Sequence, residues 1–253
     1  MRQNQPYWSH DIQLSFDLFY FIYLNYLKSL PMFKHHRYPK FIILQAVYFK
    51  FRFTLSYRDI EELMKIRGVK VDHSTIQRWV FKYAPMIEAS MHKRKNRVCT
   101  SWRMDETYIK VAGKDRYLYR AVDKFGDTVD FLLTKRRMKG SAQKFFNKAI
   151  ANNQNPRVIN IDKSGSNFTA IRAVNRNNFW NKNIKIRRCK YLNNCVEQDH
   201  RNIKRRIAID TGFKEFESAQ RTLAGIEVVS IIRKNQIIDS KKSYFKTFLS
   251  LVA

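Results

Sequence analysis

Asp105, Asp162 and Glu197 are the residues whose types, order and placement could do chemistry. Asp105 falls in the run Trp102-Arg103-Met104-Asp105-Glu106-Thr107-Tyr108, whose aromatic and β-branched residues read as a strand. A carboxylate in a strand destined for the middle of a sheet is costly unless it is paired or binds a metal. Asp162 closes a second, shorter strand, Val158-Ile159-Asn160-Ile161-Asp162, where the chain leaves the sheet. Strand ends are where open mixed sheets place ligands. Glu197 belongs to a late helix. Any one of these acids alone reads as a surface or capping residue; two strand-borne aspartates followed by a helix-borne glutamate are harder to produce by chance. Hard oxygen ligands of this kind suit Mg²⁺ or Mn²⁺, which keep waters and substrate oxygens in their remaining positions. Two such ions about 4 Å apart can activate an attacking oxygen and stabilise a leaving one in a single in-line displacement. The sequence offers no convincing histidine or serine nucleophile, and this chemistry needs none. Glu106, Asp115, Asp123 and Asp199 are rival carboxylates; Glu106 ranks below Asp105 because it points to the other face of the strand.

The elements that must position these acids follow from periodicity. Residues 102–111, 117–123 and 128–133 are strands linked by the turn-like Gly113-Lys114-Asp115 and Phe125-Gly126-Asp127, which predicts an antiparallel meander. Residues 141–151 read as a helix, 157–162 as a strand, 168–174 as a helix and 184–188 as a strand, with Lys163-Ser164-Gly165 as a turn. The last helix, from 194 to about 207, carries Val196, His200, Ile203 and Ile207 on its buried stripe. Glu197 and Lys204, seven apart, share another face with Arg201 nearby, which aligns a carboxylate with basic residues able to hold a phosphate backbone. His200 reads as a packed histidine rather than a ligand. The expected class is α/β, a mixed sheet covered by helices.

Before the sheet the pattern is helical. Ser56 and Asp59 form a capping-box pair, and the helix they open should end at Gly68. Asp72 can cap a second helix bearing Ile76, Trp79, Val80 and Tyr83 on its core face and stopping before Pro85. Two helices joined by a short glycine-containing turn make a helix-turn-helix pattern; an ordinary helical hairpin is the alternative. His73, Ser74, Gln77, Arg78 and Lys82 would face outward, with Gln77 and Arg78 suited to base edges and Lys82 to a phosphate. The charge favours DNA. Lys and Arg number 49 against 21 Asp and Glu, a net +28 that asks for a polyanion. Codon bias can supply lysine but does not explain the scarcity of acids. Cys99, Cys189 and Cys195 have neither disulfide-framework nor zinc-site spacing, as expected of a reducing cytoplasm. The apolar stretch 14–30 is interrupted by Asp17, Asn25 and Lys28 and is short for a membrane span, so a buried or oligomerising helix is expected.

Several stretches together resemble the insertion-sequence transposases, and within them insertion-sequence family six. They are Leu55-Ser56-Tyr57-Arg58-Asp59, Val71-Asp72-His73-Ser74-Thr75-Ile76 with Arg78-Trp79-Val80, Met104-Asp105-Glu106-Thr107-Tyr108-Ile109-Lys110-Val111, Tyr117-Leu118-Tyr119-Arg120-Ala121-Val122-Asp123, Asp162-Lys163 and Tyr191-Leu192-Asn193-Asn194-Cys195-Val196-Glu197-Gln198-Asp199-His200. The resemblance implies an RNase H-like catalytic domain with an Asp-Asp-Glu metal site at Asp105, Asp162 and Glu197. The 34 residues between Asp162 and Glu197, and the basic Lys204 seven after the glutamate, fit that family. It further implies a transposase that binds the terminal inverted repeats of its element and cleaves 3′ ends. The freed 3′-hydroxyl would then be joined to target DNA with two Mg²⁺ or Mn²⁺ ions. Double-stranded DNA, at element ends and target, is the expected partner, with a homo-oligomer assembled on it, no membrane, and a cytoplasmic, nucleoid-associated location. The expected organisation is an apolar leader over 1–31, a helix-turn-helix domain over 32–97, the catalytic domain over 98–236 and a tail over 237–253. The leader precedes the family pattern and reads as an upstream in-frame extension or the trace of an alternative start. The pattern also weakens between Ala173 and Lys185 and the chain ends soon after Gln236, features compatible with a decayed copy. The alternatives are a catalytically inactive helix-turn-helix DNA-binding regulator and a plain metal-dependent nuclease.

Overall fold

The computed structural model describes residues 37–162, 165–177, 183–189, 194–209, 213–241 and 243–252. The leader, the Lys163-Ser164 part of the predicted turn and the Tyr191-Leu192-Asn193 part of the family pattern lie outside them. Helices α1 (Lys40–Arg52), α2 (Tyr57–Ile66) and α3 (His73–Arg94) come first. Strands β1 (Ser101–Val111), β2 (Lys114–Asp123) and β3 (Thr128–Thr134) follow, then α4 (Lys139–Asn152), β4 (Val158–Ile161), α5 (Gly165–Asn177) and β5 (Lys185–Arg188). Helices α6 (Asn194–Ile209), α7 (Phe216–Arg233) and α8 (Tyr244–Ser250) complete the order. The five strands lie in the order β3-β2-β1-β4-β5. The first three are antiparallel and the last two parallel to β1, which is the mixed sheet of an RNase H-like fold.

The sheet is buried on both faces, and strand alternation sorts the two sides. Trp102, Met104, Tyr119 and Ala121 join Phe145, Phe146, Ala170 and Ile171 of α4 and α5 in one core. Ile109, Val111, Leu118 and Leu133 face the other way and meet Ile203 and Ile207 of α6 and Leu223 of α7. That second core continues without a break through α1, α2 and α3. Residues 243–252, read from sequence as tail, include α8, whose Phe248 and Leu249 pack into the same core with Leu251 and Val252.

The local helix signals are realised. Ser56 Oγ accepts from the Asp59 amide at 3.1 Å while Asp59 Oδ2 accepts from the Ser56 amide at 2.7 Å, closing the capping box. Gly68 takes φ +78°, the left-handed conformation that lets the turn leave α2. Asp72 caps α3 through the Thr75 amide.

One expectation fails: α3 does not stop before Pro85 but runs through it to Arg94. Proline removes the N–H that would bond the carbonyl four residues back, here Phe81. Arg221 of α7 donates to that Phe81 oxygen at 2.6 Å and lies over the Phe81 ring, so a tertiary contact supplies what the helix lost. Close packing also joins α1 to α7, because a Cβ at Gly225 would lie 2.2 Å from the Phe51 ring.

Two stability measurements test this. Arg221→Met should cost about 1–2 kcal/mol, and clearly less beside Pro85→Ala, where the new amide satisfies Phe81; additive losses in denaturant titrations would contradict the proposed compensation. Gly225→Ala should cost about 1–3 kcal/mol by overpacking. A further Phe51→Leu change should recover part of that loss, and an unaltered unfolding midpoint for Gly225→Ala would contradict the close approach.

Candidate active site

β1 is the central strand, so Asp105 does lie in mid-sheet. Its register partner on β2 is Arg120. On the other side β1 pairs in parallel with β4, Ser101 with Val158 and Arg103 with Asn160. The same register carried two residues further sets Asp105 beside Asp162, at the point where β4 ends. Helix α6 lies beside β1, with Val196, His200, Ile203 and Ile207 buried as the helical period requires. Glu197 is exposed in the first turn of α6, where the helix dipole favours a negative charge.

The three acids share an electrostatic neighbourhood. Burial, then the charges of Glu106 and Asp162, and finally Glu197, push the Asp105 carboxyl up to about 7. The Asp105 side chain is one-fifth exposed (21%), and the ion pair described for it is a long one, His200 Nε2 at 3.6 Å from Oδ2. Burial, together with the charges of Arg120 and Lys204, pushes His200 down to about 3, so the ring is neutral and offsets none of the acid's charge. Among the described residues, no three His, Cys, Asp or Glu side chains are gathered closely enough to enclose an ion. The acids therefore adjoin without forming a ready-made cage. Their chemistry nonetheless fits a divalent cation: hard oxygen donors around a partly buried carboxyl whose ionisation is opposed by burial and then by the neighbouring acids.

Glu106 points to the opposite face, as its place in the strand requires. It is ion-paired with Arg137, accepts from Asn167 Nδ2 at 2.7 Å, and is nearly buried. Against its burial, the charge of Glu106 and then that of Asp162 hold the Arg137 guanidinium above its ordinary value. Asp115 pairs with Lys110 at 2.8 Å, and Asp123 accepts from the Cys99, Phe125 and Asp127 amides. These rivals are already engaged in structural contacts.

Arg201 and Lys204 are exposed on α6, with Lys204 Nζ 4.7 Å above the exposed Tyr108 ring. In the helix-turn-helix segment His73 is held to Glu61 at 2.8 Å, and Ser74 bonds the capping Asp72. Arg78 turns back onto Ser74, and Lys82 Nζ stands 5.4 Å from the Tyr83 ring. Gln77 is exposed and lines, with Ser56, Arg58, His73 and Lys214, an open cleft of about 650 Å³ between α2–α3 and the start of α7.

Sequence reasoning missed the ion pair behind the site. Arg120 Nε and Nη2 meet Glu227 Oε1 and Oε2 of α7 at 2.6 and 2.9 Å, both side chains fully buried. The signal was present: a lone Arg among Leu118, Ala121 and Val122, and a lone Glu among Gly225, Ile226, Val228 and Val229, each needs a buried partner. Arg206 was also missed. It donates to the Phe51 and Arg52 carbonyls at the C-terminus of α1, tying α6 to the helical region.

The raised Asp105 value has a consequence for stability. Because it lies above the unfolded value of 3.8, the carboxyl supports the fold below about pH 4, and that support is lost as pH rises through about 7. In EDTA, the wild-type chain should therefore lose roughly 1–3 kcal/mol relative to Asp105→Asn between pH 4 and pH 8. Parallel pH profiles of the two proteins in denaturant titrations would contradict the crowded-carboxylate description.

The family described as "DDE domain" matches residues 99–236, and that described as "Transposase IS66 family" matches residues 37–155. The transposase for insertion sequence-like element IS431mec of Staphylococcus aureus (strain Mu50) is 40% identical over 210 residues, spanning 81% of this chain and 90% of its own. The transposase for insertion sequence element IS257 in transposon Tn4003, also from Staphylococcus aureus, matches with the same identity and spans. Among solved structures, the HTLV-2 integrase catalytic core domain in complex with magnesium aligns with 61% of this chain and 99% of its own at 16% identity, with a TM-score of 0.41. With more than half its length matched by the DDE domain family and four-fifths aligned at 40% identity to these transposases, the chain belongs to the DDE-type insertion-sequence transposases, in the group of family six.

Proposed function

We propose that the chain binds the terminal inverted repeats of its own insertion sequence, cleaves the 3′ ends and joins them to target DNA, with Asp105, Asp162 and Glu197 as the catalytic, metal-holding acids. The observation that carries this reading is geometric: Asp105 lies in the central strand, the β1–β4 register runs toward Asp162 where β4 ends, and Glu197 sits in the first turn of the helix beside β1. That the relatives are transposases for insertion sequences supports it. Two Mg²⁺ or Mn²⁺ ions held by these acids would activate first a water and then the freed 3′-hydroxyl, and stabilise the oxygen that leaves phosphorus.

The protein's own share is positional. The parallel register of β1 and β4 aligns the two aspartates, and α6 brings Glu197 from the side. Arg201 and Lys204, exposed on the same helix, hold the phosphodiester backbone. Residues 32–97 recognise the element ends, with Gln77 and Arg78 at base edges and His73, Ser74 and Lys82 on the backbone, while residues 98–236 cut and join. The net charge of +28 supports double-stranded DNA as partner and a place on the nucleoid. Pairing two ends requires a homo-oligomer on DNA. No helix among the described residues is long and apolar enough to cross a membrane.

The test is a strand-transfer assay with the flanking inverted repeats and Mg²⁺ or Mn²⁺. Asp105→Ala, Asp162→Ala and Glu197→Gln should each lower joining by at least roughly 10³-fold while end binding persists. Intact joining by any of the three would remove that acid from the site. An unmodified chain that bound the ends but never cut them would instead be a DNA-binding regulator.

A further inference from the structure

His200 is buried (4% exposed) on the inner stripe of α6, yet neither ring nitrogen has a hydrogen-bond partner among the described residues. An imidazole in that state costs the fold free energy that a leucine of similar bulk would not. The neighbouring stripe positions are Val196, Ile203 and Ile207, so packing alone does not call for a polar ring. The ring is aimed at one acceptor: Nε2 stands 3.6 Å from Asp105 Oδ2, just beyond hydrogen-bond range. Behind it, Arg120 lies opposite Asp105 in the strand register and is held by both oxygens of Glu227. That buried pair fixes the floor on which Asp105 and His200 meet.

We propose that His200 is a positioning residue for the metal site, donating its Nε2–H to Asp105 Oδ2 when the carboxylate is drawn onto a divalent ion. This rests on the metal-holding role given to Asp105 above. An imidazole with a hydrogen on Nε2 has that hydrogen directed at the carboxylate. The bond would fix the rotation of the carboxylate. Carboxylate ligands are commonly held by such outer hydrogen bonds, and losing one typically weakens metal binding 10–100-fold. The contact also links Glu197 to Asp105, since His200 lies three residues after the glutamate, about one helical turn on.

The experiment is a Mn²⁺ titration of the full chain without DNA, following free Mn²⁺ by electron paramagnetic resonance. Folding of each variant is checked by thermal melts in EDTA. His200→Phe keeps the ring's bulk but offers no donor, and should bind Mn²⁺ about 10-fold more weakly or worse. His200→Leu serves the same purpose if the Phe variant does not fold. His200→Gln can place an amide N–H near the Nε2 position and should recover most of the affinity. A folded donor-less variant that binds Mn²⁺ as tightly as the wild type overturns the inference while leaving the three-acid site standing. A wild-type chain that binds no Mn²⁺ overturns the metal-site reading, and this inference with it.

Discussion

Asp105 is a carboxylate on the central strand of a sheet that is buried on both faces, with three further acids acting on it and the ring of His200 3.6 Å away. Such a group cannot ionise freely at neutral pH, and it is unstable in the folded chain in proportion as it does. Much of the surrounding architecture can be understood from that constraint. The β1–β4 register brings Asp162 up beside it, α6 adds Glu197, and Glu106, turned to the other face and paired with Arg137, still adds its charge. Opposite Asp105 on β2, Arg120 is held by Glu227 from α7. A buried Arg–Glu pair is weak evidence for net stability, but breaking one half of it is costly, so it holds the floor of the site in one arrangement.

The same elements tie the site to the helical region. Arg206, on the helix that carries Glu197, caps the last carbonyls of α1, and Arg221 on α7 bonds the carbonyl that Pro85 leaves open in α3. Gly225 lets α7 approach Phe51 of α1. Together with the continuous core running from α1 to α8 and the second face of the sheet, these contacts make the helix-turn-helix segment and the sheet one packed body.

Local signals in the sequence were read reliably where one short-range interaction decides the outcome. The Ser56–Asp59 box, the Asp72 cap, the Gly68 turn and the buried stripe of α6 are of this kind. The strands were legible because aromatic and β-branched residues run unbroken between turn residues, and strand alternation alone separated Asp105 from Glu106. What escaped was tertiary. The continuation of α3 through Pro85 depends on Arg221, some 140 residues away, and no local rule can supply that partner. Likewise, Arg120 and Glu227 each looked anomalous in an apolar stretch, but their pairing is visible only once β2 and α7 face each other. The packing of α8 was missed for a related reason: seven residues with no capping bond carry too little pattern to mark a core element.

The chemistry proposed for this chain depends on Asp105, Asp162 and Glu197 holding divalent metal between them. The most direct measurement is a crystal structure of the full chain soaked in Mn²⁺, with anomalous density locating the ions. Peaks should lie between Asp105 and Asp162, with Glu197 as a further ligand and Glu106 still bound to Arg137. Manganese bound only elsewhere, or coordinated through Glu106 with Asp105 left aside, would contradict it.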